Sequence, residues 1–334
     1  MTKSRIAVLT GGYSAEANIS YKSAATVINH LDKNLFDTYL IDISSNRWAY
    51  IDDEKQAFII DKNDFSFTKN NQKTQFDLVF FALHGTPAED GKIQGYFDML
   101  GIKYCGTNMM EMALSFDKAA TKKYLKSSNI LMADSFLYYK TEQTSHIVEH
   151  ISKHLSMPVF VKPNKNGSSY GVTKVSKVEE LEAAVVNGFE FDDELIVEAF
   201  ISGREMTCGV YLFNGVLTAL SPTEIKSQND FFDYKAKYLG QSQEITPAEI
   251  SPALTEKIQQ ISMHAFKELG LKSHARIDFI MNGDAFYFLE ANTIPGLTDE
   301  SLIPQQVAYA GWALKDFFTA IVKEGFRKYE NAHV

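Results

Sequence analysis

The chain opens on an apolar run, Ile6 to Leu9, that stops at Thr10-Gly11-Gly12, and the stretch from Glu16 to Leu31 then has a helical pattern. A second apolar run, Asp77 to Leu83, ends at His84-Gly85. Buried-type strands alternating with helical stretches predict a parallel sheet, whose ligands collect at the C-terminal ends of its strands. This first unit is placed at residues 1–115.

A second unit, 116–202, opens on SFDKAATKKYLKSSN, read as one helix. PVFVKP is a strand, followed by the loop NKNGSSYG and the strand VTKV. Ser176 with Glu179 gives a capping-box signature before LEAAV, and ELIVEAFI is a further strand. A third unit, 203–334, carries the strands MTCGVYLF and VLTALS, then a polar stretch, 223–246. After Ser251-Pro252, the residues Leu254, Ile258, Ile261, Ala265 and Leu269 fall at helical spacing, and Gly270 suits the C-terminal stop. The strands ARIDFIM and AFYFLEAN follow.

In the last strand Glu290 and Asn292 share a face, because side chains alternate along a strand. Whether Asp278 joins them depends on the connection. A two-residue turn at Asn282-Gly283 places Asp278 and Glu290 on opposite faces. A three-residue connection or one bulge restores the parity and sets Arg276 opposite Glu290. The odd connection or the bulge is expected. Two carboxylates and an amide oxygen then form a hard-oxygen site suited to Mg²⁺. The bland alternative is a solvated strand face with a cross-strand Arg276–Glu290 pair.

Composition narrows the class. The 334 residues are 45% apolar and 22% charged, which is globular, and long enough for more than one core. A formal charge of −9 disfavours nucleic acid as a partner. Cys105 and Cys208 offer neither a metal spacing nor a disulfide framework. With no signal-type apolar region at the start and no membrane-length span, a cytoplasmic location without membrane contact is expected.

Other candidates are individually weak. Gly167, Ser168, Ser169 and Gly171 could cradle a phosphate, or simply form a surface hairpin. Lys118 and Lys162 could supply phosphate charge, or be solvated. Glu198 and Glu205, flanking Phe200, could accept from an adenine amine and from ribose hydroxyls, or belong to a strand joining two units. His146, His150 and His154 at helical spacing read as a solvated stripe rather than a metal site.

Together, GGYSAEANIS, HGTPAEDGKIQG, GIKYCGTN, FDKAATK, VFVKPNKNGSSYG, VEAFISGRE, DYKAKY, ARIDF and LEANTIPGLTDESLIP resemble the D-alanine–D-alanine ligase family, in order and over nearly the whole chain. The resemblance implies an α/β protein of ATP-grasp fold, with an N-terminal parallel α/β domain and two α+β domains clasping the nucleotide. It implies ATP-dependent joining of two D-alanines through an acyl phosphate, for peptidoglycan precursor synthesis. Lys118, Lys162 and Lys237 would bind ATP phosphates under the Ser168-Ser169 loop, and Glu198, Phe200 and Glu205 would frame adenine and ribose. Asp278, Glu290 and Asn292 would hold two Mg²⁺ or Mn²⁺ ions. Glu16 would anchor the first ammonium, with His84 near that substrate or acting only as a structural histidine. Arg276 and the Gly296 N–H would stabilise the oxyanion, and Ser301 and Leu302 would receive the second carboxylate. Tyr238, on a mobile loop over 223–246, would latch onto Glu16 and Ser168 and favour the dipeptide. A homodimer is implied by resemblance only. The chain departs from the family pattern at Thr10, Ala88 and Phe200. The alternatives are a D-alanine–D-serine or D-alanine–D-lactate type of ligase, and a nucleotide-binding regulator without turnover.

Overall fold

The computed structural model describes residues 2–167, 170–227 and 242–330. The chain begins with β1 (Ser4–Gly11), α1 (Ala17–His30), β2 (Phe36–Ile43), β3 (Trp48–Ile51), β4 (Ala57–Asp61), β5 (Ser66–Lys69), β6 (Gln72–Thr74), β7 (Leu78–Phe81) and α2 (Lys92–Leu100). The strands form one sheet in the order β6-β5-β4-β3-β2-β1-β7. β1 runs parallel to β2 and β7, as the alternating pattern predicts. The remaining strands extend the sheet in antiparallel fashion, which the sequence reading did not anticipate. They are short, and β3, β4 and β5 carry aromatics rather than long apolar runs; the Tyr50 and Phe67 rings lie 4.5 Å apart.

Residues Ile6 to Leu9 are wholly buried because both faces of β1 are covered. Ile6, Val8, Leu78 and Phe80 pack in one cluster with Val27 of α1 and with Phe318 and Ile321 near the C-terminus. Ala7, Leu9, Val79 and Phe81 pack on the other face with Ile93 and Phe97 of α2.

Next come α3 (Met109–Phe116), α4 (Lys118–Leu125), β8 (Ser135–Tyr139), α5 (Thr144–His154), β9 (Val159–Pro163), β10 (Thr173–Val175), α6 (Leu181–Gly188) and β11 (Glu194–Ala199). The helix expected from Ser115 is two helices. Asp117 leaves the helical conformation between them and caps α4, its carboxylate accepting from the Ala120 N–H at 2.8 Å. The residue that reaches back to the strand before α6 is Glu180, not Glu179; it accepts from the Ser176 and Lys177 N–H groups. The strands form an antiparallel sheet, β10-β9-β11-β8. Val159, Val161 and Val197 bury one face against Ile147 and Ile151 of α5 and Leu181 and Val185 of α6. Alternation therefore turns Phe160, Lys162 and Glu198 to the opposite face.

The last part contains β12 (Arg204–Phe213), β13 (Val216–Ala219), β14 (Thr223–Ser227), β15 (Ser242–Ile245), α7 (Pro252–Glu268), β16 (His274–Asn282), β17 (Ala285–Asn292), α8 (Leu302–Tyr309) and α9 (Leu314–Glu330). The sheet order is β15-β14-β12-β16-β17, with β13 on β12. The ends of the stretch read as a mobile loop are thus paired strands, Glu224 lying opposite Ile245. Ser251 caps α7 as expected, and Ile258, Ala265 and Phe266 of α7 pack on Met206, Ile277, Phe279 and Phe288. α9 turns back to the first sheet, where Phe318 meets Phe80 with ring centroids 6.1 Å apart.

The β16–β17 hairpin turns at Gly283-Asp284, one residue later than expected, and Asn282 lies opposite Ala285. This two-residue turn would carry Glu290 to the core face. A bulge corrects it: Phe288 lies opposite Phe279, yet Glu290 lies opposite Asp278, so Leu289 is the extra residue. Arg276 stands opposite Asn292, not Glu290 as expected, because the turn lies one residue later and so moves every pairing by two residues, to which the bulge adds one.

Candidate active site

One cleft opens where the three sheets meet. Its wall includes Glu16, His84, Lys118, Arg276, Glu290, Asn292, Gly296, Ser301 and Leu302, all singled out in the sequence. Glu89, Asn166 and Glu244 also line it and were not.

The ends of β1 and β7 supply one wall. Gly85 has φ +72°, and a side chain there would meet Ser14 Oγ at 2.5 Å and Glu16 Oε2 at 3.1 Å. Gly167 approaches the same carboxylate from the second sheet; a Cβ on it would lie 2.9 Å from Glu16 Oε2. Glu16 is therefore seated between two backbone segments that only glycine lets so close. His84 is buried and follows β7. Its Nδ1 lies 2.8 Å from the Ile294 carbonyl oxygen, which only a donor can face, so Nδ1 carries a proton, and Nε2 is hydrogen-bonded to Ser23 Oγ at 3.0 Å. Ser23 Oγ in turn accepts from the Leu297 N–H at 3.3 Å. The imidazole thereby ties α1 to the segment after β17, a structural task added to its place on the cleft.

That segment forms the opposite wall. Ser301 precedes α8, but its side chain does not cap the helix. Ser301 Oγ instead accepts from the Thr298 N–H at 3.1 Å and lies 2.7 Å from Thr298 Oγ1. A Cβ on Gly296 would lie 2.8 Å from Ser301 Oγ, so glycine permits the close packing there. A helix start without a side-chain acceptor is a favourable place for an anion.

On the bulged ribbon, Arg276 donates from Nε to Asp278 Oδ1 at 2.9 Å and from Nη2 to Oδ2 at 2.8 Å. Thr207 Oγ donates to the same Oδ1 at 2.5 Å. Beside this pair, Asn292 Oδ1 is buried with no hydrogen-bond partner among the described residues. An orphaned amide oxygen next to two carboxylates is the donor set that a hard cation completes. Among the described residues, no group of three or more His, Cys, Asp and Glu gathers for a metal. Any cation here therefore draws on the amide and on further oxygen ligands from outside the chain.

On the face of the second sheet turned away from α5 and α6, buried Glu198 lies between two lysines. Lys162 Nζ is 2.5 Å from Oε2, and Lys122 Nζ pairs with Oε1. Burial opposes ionisation of Glu198, yet the two ammonium groups outweigh it and hold its pKa down at about 2. Burial alone would depress Lys162, but Glu198, Glu290 and Glu205 overcome it and raise its pKa. The expectation that Glu198 accepts from adenine thus competes with this double pairing. Lys122 was missed, although it lies four residues after Lys118 on α4. Lys118 Nζ donates to the Asn166 carbonyl at 2.7 Å, beside the glycine loop. Phe200 has Lys174 Nζ 4.8 Å from its ring centre. Ser168, Ser169, Lys237 and Tyr238 lie outside the described residues.

Comparison with known proteins matches this layout. The family described as D-ala D-ala ligase N-terminus covers residues 5–107, and that described as D-ala D-ala ligase C-terminus covers 129–323. A D-alanine–D-alanine ligase from Flavobacterium johnsoniae is 44% identical over 95% of this chain and 98% of its own length. Among solved structures, a D-Ala:D-Ser ligase from Enterococcus faecalis is 30% identical, with a TM-score of 0.88 over 97% of this chain and 100% of that one. A D-alanine–D-alanine ligase from Bacillus anthracis complexed with ATP is 27% identical, with a TM-score of 0.76 over 98% of this chain and 99% of that one. The fold is that of the ATP-grasp ligases. Matched in both halves, in order and at such identity over nearly all its length, the chain belongs to the D-alanine–D-alanine ligase family.

Proposed function

We propose that this chain joins two D-alanines into D-alanyl-D-alanine, a peptidoglycan precursor, while ATP is converted to ADP and phosphate. The observation that carries the reading is a single cleft lined by an anionic anchor, Glu16, a phosphate lysine, Lys118, an oxyanion cation, Arg276, and an open helix start at Ser301-Leu302. The first carboxylate attacks the γ-phosphorus, the bond to the ADP oxygen breaks, and an acyl phosphate forms. The second amine attacks its carbonyl carbon, phosphate leaves, and the amine proton is lost.

Glu16 holds the first ammonium. Lys118 and Lys162 neutralise phosphate charge, and Asn166 and Glu198 aim their ammonium groups. Arg276, fixed by Asp278, and the Gly296 N–H face the developing oxyanion; such preorganised donors are commonly worth about 3–4 kcal/mol each. Asp278, Glu290 and Asn292 would hold Mg²⁺ or Mn²⁺, which when bound neutralises charge on the transferring phosphate. Ser168, Ser169, Lys237 and Tyr238 belong to the same reading by their match to the family motifs, as do the homodimer, the cytoplasmic location and the division at residues 115 and 202. Among the described residues no helix is long and apolar enough to cross a membrane.

A coupled ADP-release assay with mass detection of product tests this. Wild type should release ADP with D-alanine and not with L-alanine, Glu290→Gln should lose more than about 100-fold, and a chelator should abolish turnover. ADP release that ignores D-alanine would refute the reading. D-alanyl-D-serine as the main product would favour the second reading, for which the Enterococcus faecalis structure is the observation.

A further inference from the structure

Two amino acids enter this cleft as zwitterions, so two ammonium groups need anionic receivers. Glu16 serves the first. Glu290 faces Asp278 on the ribbon. Glu89 stands on the first wall, its Oε1 3.9 Å from His84 Nδ1, and one further carboxylate of the described cleft lining stands at the second-substrate end, unaccounted for by the sequence motifs: Glu244 of β15.

Its position is fixed by α8. Glu244 Oε2 accepts from Gln305 Nε2 at 2.6 Å, and the same Nε2 donates to the Glu300 carbonyl at 2.7 Å. Gln305 lies one turn into α8, its N–H bonded to the Ser301 carbonyl at 3.0 Å. Thr246, just past the end of β15, donates from Oγ1 to Gln305 Oε1 at 3.5 Å. The amide therefore holds the Glu244 carboxylate beside the helix start where the second carboxylate is placed. Ammonium and carboxylate of an α-amino acid share one Cα, so their receivers must be neighbours. Arg276 acts on Glu244 from the reaction side, and Glu300 is the other charged group acting on it. Burial raises its pKa, with Gln305 and Arg276 opposing, so a cation arriving in the cleft would offset that cost.

We propose that Glu244 receives the ammonium of the second amino acid and thereby selects an amine over a hydroxyl nucleophile. A hydroxy acid of the same skeleton, such as D-lactate, brings no positive charge, so it gains nothing from Glu244 and its carboxylate is repelled. The inference rests on the ligase reading above and names the determinant of its second subsite.

Glu244→Gln keeps the shape and the bond to Gln305 while removing the charge. In mixtures of D-alanine and D-lactate at fixed pH, the variant should shift the ratio of ester to dipeptide upward by about tenfold or more, and should raise the KM for the second D-alanine similarly, the loss expected of a charge-assisted hydrogen bond. The KM for ATP should stay within about twofold, and Glu244→Asp should recover part of the selectivity. An unchanged ratio and second-site KM in a variant that still turns over overturns the role of Glu244 alone. A parallel rise in the KM for ATP shows a merely structural role and also overturns it. Absence of dipeptide from wild type overturns the parent reading and this one together.

Discussion

Glu198 is the residue on which the nucleotide face of the second sheet turns. It is 5% exposed, and each of its oxygens faces a lysine. A buried charge left without its partner costs far more than the pair is worth. Glu198→Gln should therefore destabilise the protein by about 3–5 kcal/mol at pH 7, read by urea unfolding, because two buried ammonium groups lose their shared counter-charge. The sign with pH follows from a depressed pKa. The contribution is fully present above the unfolded value of about 4.5 and is lost as pH falls towards about 2. Lys122→Met should cost less stability. It should raise the KM for ATP by about tenfold, since Lys162 is then held by a carboxylate with one anchor instead of two. An ATP KM unchanged in Lys122→Met would show that Lys122 serves packing alone.

At the scale of elements, catalysis depends on where α8 is set down on β12. Gln306 does this: its Oε1 accepts from the Gly209 N–H at 2.8 Å, and its Nε2 donates to the Thr207 carbonyl and to Thr223 Oγ1. Glycine is required opposite it, because a Cβ at residue 209 would lie 2.5 Å from Ile303 Cδ1 and 2.7 Å from Gln306 Oε1. Gly209→Ala should push α8 outward, costing about 1–3 kcal/mol. The KM for the second substrate should rise more than that for ATP, because the helix start, not the lysine face, is displaced. Equal effects on both KM values would place the damage elsewhere. The bulge at Leu289 has a similar rank. Without the bulge, plain alternation along the intact strand would turn Glu290 and Asn292 to the face that carries Phe286 and Phe288, whereas deleting Leu289 should leave Glu290 opposite Asp278.

Across the whole molecule, the first and third sheets are joined by α9, which fills the core of the first and packs Phe317 on Tyr211 of the third. His274 of β16 lies at this joint, its ring centroid 6.2 Å from that of Phe317. It is 6% exposed, and Nε2 has no hydrogen-bond partner among the described residues. Burial lowers its pKa from 6.5 to about 4. The folded protein therefore keeps a neutral imidazole where the unfolded chain takes up a proton. Stability is complete above pH 6.5 and falls by roughly 3 kcal/mol as pH drops to about 4. His274→Phe should flatten the unfolding free energy between pH 6.5 and 4.5; an equally steep slope in that variant would assign the sensitivity to other groups.

The order of motifs, the buried runs of β1 and β7 and the i, i+2 pair Glu290-Asn292 are written in the sequence, because each depends on residues close together along the chain. They determined the fold class, the family and ten residues of the cleft, Gly167 among them. The split at Asp117 and the short strands β3 to β6 were not read from the sequence, since short half-exposed segments have weak periodicity. Tertiary structure decided the rest. The bulge fixed which side chain faces Asp278, Lys122 became a partner of Glu198, α9 joined the first core, and Glu244 came to the second-substrate end of the cleft. None of these could be read along the chain. Pairing register and charge pairing between distant segments arise from packing, and packing is settled only when all the faces are buried together.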